Sequence, residues 1–422
     1  MRVVFLSVSD QLGGSEIALV DMMAGLRRVR SGWTIGLVLP GRGPLLARAE
    51  AAGVDCTILA LPRAIARVGE FAGISAQPGI ARRAMLGARM LTAAAATPTY
   101  LRKLRKVLRA YKPSIVHTNG FKAHVLGARA VGSAGLGARA AGTGSRGAST
   151  AGSPKVVWHM HEYVGDRGVS RKLLAAHVSS VSAILANSAS VAADVRRALP
   201  AAVLPTVIYN AVDLASFVPV GPAEDLDARA GLPPPSGSPL RVGLIATFAR
   251  WKGHEVFLRA IAALPPSADV RAYVIGEPIY ATAGSQHTFE ELKRLAAGLG
   301  IAERVAFTGY LRSAPAMRAL DIVVHASTRP EPFGLVIAEA MACGRATIVS
   351  AAGGATELIE PEVDALTHVP GDAAELARQI ARLAADRSLR ETLGARAYAT
   401  ARRRFDPDRL AGELAQVYER LS

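Results

Sequence analysis

Runs of four to six apolar residues, each closing on a polar or glycine-bearing loop, recur along this chain of 422 residues. "RVVFLSV", "TIGLVLP", "SIVHTN", "KVVWHMH", "AILANS" and "TVIYN" occupy the first half, and "RVGLIATF", "VRAYVIG", "VAFTGY", "DIVVHAS" and "ATIVSA" the second. Apolar character that is continuous rather than alternating marks strands covered on both faces, the habit of parallel sheets. Helical stretches separate most of them, near Glu16 to Arg30, around Leu45 to Ala52, and over "GHEVFLRAIAAL" and "FEELKRLAAGLG". The expected fold class is α/β: two Rossmann-like, doubly wound domains facing across a cleft, with ligands at the C-terminal ends of the strands.

The pattern pauses at "ASFVPVGPAEDLDARAGLPPPSGSP", rich in Pro, Gly and acids, which predicts a linker. The expected division is a first domain over residues 1–212, a linker over 213–238, a second domain over 239–402 and a terminal helix over 403–422 able to cross back to the first domain. A chain of this length exceeds one ordinary core, which agrees with two domains. Two segments interrupt the first domain: a basic, helical excursion at 63–112 and a Gly/Ala/Ser-rich surface loop at 131–154.

Composition narrows the classes. Half the residues are hydrophobic and 20% are charged, as in a folded soluble protein. Two cysteines, Cys56 and Cys343, make no disulfide framework and fit a reducing compartment. The N-terminus reads as a buried strand rather than a signal peptide, and no apolar run reaches the roughly 18 residues needed to cross a bilayer. A cytoplasmic location is expected, with peripheral attachment at the inner membrane face as its variant. The net charge of +16 invites a nucleic-acid partner, but residues 63–112 alone hold eleven Lys or Arg against one acid, Glu70, which is +10 of the total. No aromatic-interleaved platform, zinc spacing or recognition helix accompanies that patch, and aromatics are 5% of the chain. No nucleic acid is expected.

Three stretches carry candidate chemistry. In "SVSDQLGGSEIALV", Gly13 and Gly14 end a strand and open a helix, where backbone can approach an anion or a sugar. The spacing is neither a dinucleotide fingerprint nor a phosphate loop. In "TFARWKGHEVFL", Arg250 and Lys252 precede a helix and can receive a diphosphate. In "RPEPFGLVIAEAMACG", Pro332 suits the first turn of a helix, which places Glu331 just ahead of it and the amides of Phe333, Gly334 and Leu335 at its start. Glu339 lies about two turns in, where a carboxylate can hold a ribose diol. Each has a plain structural alternative: a strand-to-helix turn, a solvated basic turn, a dipole partner with a surface acid.

The ordered set "GGSE", "WHMHE", "NSASVAADV", "YNAVD", "RWKG", "VIG", "VAFTGY", "EPFGLVIAEAMACG", "GGATELI" and "FDPDRL" resembles the GT-B retaining glycosyltransferases of family 4, the group 1 class, over nearly the whole chain. The resemblance implies that Glu331 meets donor-sugar hydroxyls and Glu339 the nucleotide ribose, as the family's E-x7-E pair. It implies that Arg250 and Lys252 neutralise the diphosphate, that the Phe333, Gly334 and Leu335 amides meet sugar or phosphate oxygens, and that Gly13 and Gly14 line the cleft. His161 matches the histidine near the reacting sugar, while His159, two positions away, is expected on the opposite strand face in a structural role. The implied donor is a UDP- or GDP-sugar, with no cofactor and no metal, and the implied acceptor a glycan, lipid-linked or small molecule. Three positions depart from the family: Thr247 where Arg is usual, Ala211 where Gly is, and Ala346 where Pro is.

Competing classes are a silent nucleotide-sugar binder and a non-hydrolysing nucleotide-sugar epimerase, which shares the architecture. Within 63–112, "YLRKLRKVLRAY" clusters cations beside a stripe of Leu101, Leu104, Val107 and Leu108. That pattern suits docking on an anionic membrane, or equally a solvated helix packing its leucines on the domain.

Overall fold

Apolar residues, many of them β-branched, fill the interiors of most strands. The computed structural model describes residues 1–67, 80–132, 153–165, 167–200, 203–233, 237–265, 267–278 and 284–422, with backbone alone at 80–86. The Gly/Ala/Ser-rich loop expected at 131–154 lies outside the described residues over 133–152, as does 68–79 of the basic excursion.

The chain forms two units, Met1–Asn210 with Pro407–Ser422, and Ala211–Asp406. The first is built on strands β1 (Arg2–Ser7), β2 (Thr34–Leu39), β3 (Asp55–Ile58), β4 (Ile115–Asn119), β5 (Lys155–Met160), β6 (Ala183–Ala186) and β7 (Thr206–Val207). All pair in parallel, in the order β3-β2-β1-β4-β5-β6-β7. The second is built on β8 (Leu240–Ile245), β9 (Val270–Ile275), β10 (Val305–Gly309), β11 (Ile322–His325), β12 (Ala346–Ser350) and β13 (Leu366–His368), again parallel, in the order β10-β9-β8-β11-β12-β13. Helices on the connections bury both faces, which is why β1 reads as an unbroken buried run from Val3 to Ser7. The short edge strands β3 and β13 escape the sequence pattern; β3 is only partly buried, so its composition does not need to be apolar.

Each order reverses direction once, between β1 and β4 in the first sheet and between β8 and β11 in the second. Loops leaving adjacent strands at such a switch point run to opposite faces and leave a crevice at the C-terminal edge.

Two expectations need correction, and one choice left open is decided. The segment 213–238 is no free linker: it belongs to the second unit, with Leu226 fully buried against Tyr273 and Ile275. Asp227, 3% exposed, accepts from Arg271 Nη1 at 2.9 Å, Tyr273 Oη at 2.9 Å and Arg241 Nη2 at 3.1 Å. The terminal helix begins at Pro407, not 403, because the helix Arg387–Arg404 ends in the second unit and Pro407 starts a new one. In the first unit it lies against helix Gly14–Val29, with Gly25 close to Ala411 and the Pro407 carbonyl.

The choice concerns the leucine stripe, where packing on the domain is what the structure shows. Leu101, Leu104 and Leu108, on helix Ile80–Tyr111, are at most 4% exposed and sit in the first unit's core, with Val107 packed beside them. Burial of each leucine is worth about 1.5–3 kcal/mol, so the core holds the stripe. No apolar face of that helix segment is left for lipid.

Candidate functional site

At the switch point of the second sheet, two loops meet. The one leaving β8 makes a tight turn over Arg250–Lys252 and enters helix His254–Ala262 through Gly253, whose φ of 79° is left-handed. A Cβ there would stand 1.8 Å from the Ala326 carbonyl oxygen, so only glycine permits this approach to the β11 loop. The β11 loop is fastened in return: Thr328 N donates to the Trp251 carbonyl at 2.8 Å, and Ser350 Oγ to the Ser327 carbonyl at 2.6 Å. Gly354 N donates to the Glu331 carbonyl at 2.7 Å.

These fastenings bring Lys252 and Glu331 together across 79 residues of sequence. Lys252 Nζ lies 2.9 and 3.1 Å from the two carboxylate oxygens and 4.1 Å from the centre of the Trp251 ring. Ser327 Oγ donates to Glu331 Oε2 at 2.9 Å, and His325 Nε2 stands 3.3 Å from the same oxygen. Burial on its own raises the Glu331 carboxyl, but the Lys252 ammonium and the His325 hydrogen bond outweigh it and hold the group well below the usual carboxylate range. The residue is 7% exposed, so this is a buried ion pair with its lone pairs supplied.

The helix opens later than its sequence suggests. It spans Leu335–Ala342, capped by Gly334 at φ 93°, so Pro332 precedes it and Glu331 lies on an irregular turn. The wall residue Glu339 is on the second turn and buried at 8% exposure. Phe333 is 3% exposed and meets the Phe405 ring edge-on at 6.0 Å, which anchors the turn.

Arg250 takes other partners. Its guanidinium bonds Glu291 at 3.1 and 3.2 Å, the Gly284 carbonyl at 3.1 Å and His287 Nδ1 at 3.2 Å; none of these bonds goes to Glu331. Of the two expected cations, only Lys252 is joined to the carboxylate.

The first unit has its own arrangement at the β1/β4 switch point. Gly13 caps helix Gly14–Val29, and its amide donates to Glu16 Oε2 at 3.2 Å, while a Cβ at Gly14 would meet nothing within 4 Å. Asn119, ending β4, reaches the Ser15 carbonyl at 3.5 Å. His161 follows β5 directly, and its ring lies 4.2 Å from that of His159 at a 38° tilt. The expected opposite-face placement of His159 is therefore wrong: alternation has a period of two, so residues two apart share a face, and the two rings lie together. Both ring nitrogens of both histidines are shielded, and among the described residues neither has a hydrogen-bond partner. Burial pushes His161 down to about 4 and His159 well below the usual range, so both are neutral imidazoles at pH 7.

Sequence reasoning missed His325 and Ser327. Their signal was a histidine closing a strand followed by Ser-x3-Glu, too short to carry a reading unaided. Among the described residues, no group of three His, Cys, Asp or Glu is arranged to hold a metal ion, and no helix is long and apolar enough to cross a membrane.

Two family models match the chain: Glycosyltransferase Family 4 over residues 12–216 and Glycosyl transferases group 1 over 234–400. The chain is 35% identical over 218 residues to the lipopolysaccharide core biosynthesis mannosyltransferase LpcC of Rhizobium leguminosarum, covering 51% of this chain and 60% of that protein. It is 34% identical over 218 residues to a D-inositol 3-phosphate glycosyltransferase of Xylanimonas cellulosilytica, covering half of each. The chain thus spans 50–60% of these relatives' length. The crystal structure of Anabaena HepE in complex with UDP-glucose superposes with a TM-score of 0.76 at 27% identity, over the whole of both chains.

Proposed function

Because the chain belongs to the GT-B glycosyltransferases of group 1 and family 4, we propose that it moves a sugar from a UDP- or GDP-linked donor to an acceptor hydroxyl, with retention at the sugar carbon. The observation that carries this reading is the Lys252–Glu331 pair at the second sheet's switch point, where doubly wound folds take their ligands. HepE with UDP-glucose supports the donor class, and the lipopolysaccharide relative supports a glycan or lipid-linked acceptor in envelope synthesis.

In the proposed reaction the bond from the sugar carbon to the diphosphate oxygen breaks, and the acceptor oxygen bonds to that carbon from the same face. The acceptor proton passes to the departing phosphate oxygen. Negative charge grows on the diphosphate, and Lys252 answers it, with Arg250 contributing from its exposed edge. Glu331 accepts hydrogen bonds from sugar hydroxyls, Glu339 holds the ribose diol, and the backbone of Phe333, Gly334 and Leu335 serves sugar or phosphate oxygens. On the first unit, Gly13 and Gly14 give a close approach, and His161, neutral and shielded, offers a donor and an acceptor to the reacting sugar. The donor is a substrate; no resident cofactor or metal takes part.

Thermal shifts with a nucleotide-sugar panel test the reading. A ligand at a hundred times its Kd stabilises by about 2.7 kcal/mol, several degrees for a unit of this size. No shift with any member, or conversion of the donor to its epimer without acceptor, overturns it.

We further propose that Arg102, Lys103, Lys106 and Arg109, all exposed, hold the protein against anionic lipid by charge alone, since the leucines beside them are buried. Co-sedimentation that ignores vesicle charge or salt removes this proposal.

A further inference from the structure

Glu331 does not depend on Lys252 alone. Its Oε2 also receives Ser327 Oγ at 2.9 Å and lies 3.3 Å from His325 Nε2, which is itself 3.0 Å from Ser327 Oγ. A carboxylate only accepts and Ser327 gives it its one hydrogen, so His325 Nε2 must carry a hydrogen of its own. His325 closes β11 at 4% exposure, and Ser327 is 1% exposed with its carbonyl held by Ser350. Both side chains are thus fixed by the sheet rather than by solvent.

On the reading above, Lys252 has two claims on it: Glu331 in the empty protein and the diphosphate in the loaded one. When the ammonium turns to phosphate, a buried carboxylate that loses its counter-charge swings away or takes a proton unless other donors keep it. We infer that His325 and Ser327 are positioning residues, which hold Glu331 ionised and aimed at the donor sugar while Lys252 serves the diphosphate. They act through Glu331 and touch no substrate. The inference rests on the donor reading and deepens it.

Four variants of the full chain test it: His325→Gln, His325→Asn, His325→Leu and Ser327→Ala. Calorimetric affinities are measured for UDP-glucose, UDP-galactose, UDP-N-acetylglucosamine and GDP-mannose, with UDP and GDP as sugar-free controls. Glutamine sets an amide N–H where Nε2 stands, asparagine sets it near Nδ1, and leucine has none. The leucine and asparagine variants are expected to bind the preferred nucleotide-sugar about ten- to a hundredfold more weakly, the worth of one hydrogen bond to a charged group. Glutamine restores most of the loss, and the sugar-free nucleotide binds every variant as it binds the unaltered protein. Ser327→Ala removes a single oxygen and is expected to show the same split if a His325 variant fails to fold. Equal losses for nucleotide and nucleotide-sugar, or a ranking that follows side-chain volume rather than the amide position, overturns the inference. If the unaltered protein binds no nucleotide-sugar above its nucleotide, the donor reading itself falls.

Discussion

Lys252→Met keeps the length of the side chain and removes its charge, and its consequence depends on pH in a direction that the site dictates. At 4 Å and an effective dielectric of 20, two unit charges attract by about 4 kcal/mol. The Lys252–Glu331 separation is shorter, 2.9 Å, yet Lys252 is 21% exposed and Ser327 and His325 still serve the carboxylate. Breaking a fully buried pair costs about 3–5 kcal/mol; with those discounts we expect about 2 kcal/mol at pH 7, or about 4–8 °C in the second unit's transition. In the unaltered protein, Glu331's folded value lies below its unfolded one, so its contribution is fully present above about 4.3 and disappears only as pH falls through the depressed value. In the variant the ammonium no longer offsets burial, so the carboxyl rises from that depressed value although His325 and Ser327 still serve it, and protonation relieves it as pH falls. The gap between the two proteins must therefore narrow between pH 7 and pH 4. Calorimetric melts at pH 7, 5.5 and 4 check this, using the transition that a bound nucleotide-sugar moves. A gap of the same size at all three, or none at pH 7, would refute the claim that this pair is buried and mutually dependent.

Gly334→Ala forces a side chain onto φ 93° and against Ile337 Cδ1 at 2.7 Å, so a loss of more than about 1 kcal/mol in stability is expected, together with weaker donor binding. Gly14→Ala meets no atom within 4 Å and opens a helix; melts should show stability unchanged or raised by about 0.5 kcal/mol, while turnover falls if substrate approaches that backbone. The buried histidines should make the first unit acid-labile. His124 is pushed down to about 3 and His161 to about 4, so stability is complete above about 6.5 and declines as pH drops toward those values. For His124 alone the loss at pH 5 is about 2 kcal/mol, and His124→Gln, read by denaturant midpoints at pH 7 and 5, should flatten that slope. Replacing Arg102, Lys103, Lys106 and Arg109 by Gln should release the protein from anionic vesicles at the cost of about 1 kcal/mol per cation, without changing donor affinity.

What the linear order of residues determined is local or periodic. Unbroken apolar runs such as Val3 to Leu6 require cover on both faces, hence parallel strands with helices on either side. The ordered motifs from "GGSE" to "FDPDRL" named the family. Tertiary structure alone decided which polar groups meet. Lys252 and Glu331 are joined, and Arg250 goes to Glu291 instead, because β8 and β11 are neighbours in the sheet and the loop carrying Gly284 and His287 passes beside Arg250. His325 and Ser327 gain their place from the same adjacency, and packing put Leu104 in the core, a choice that helical periodicity left open because it does not tell one apolar partner from another. Spacing along a chain fixes which face of an element a side chain occupies; what lies opposite that face is set by strand order, which chain spacing does not encode.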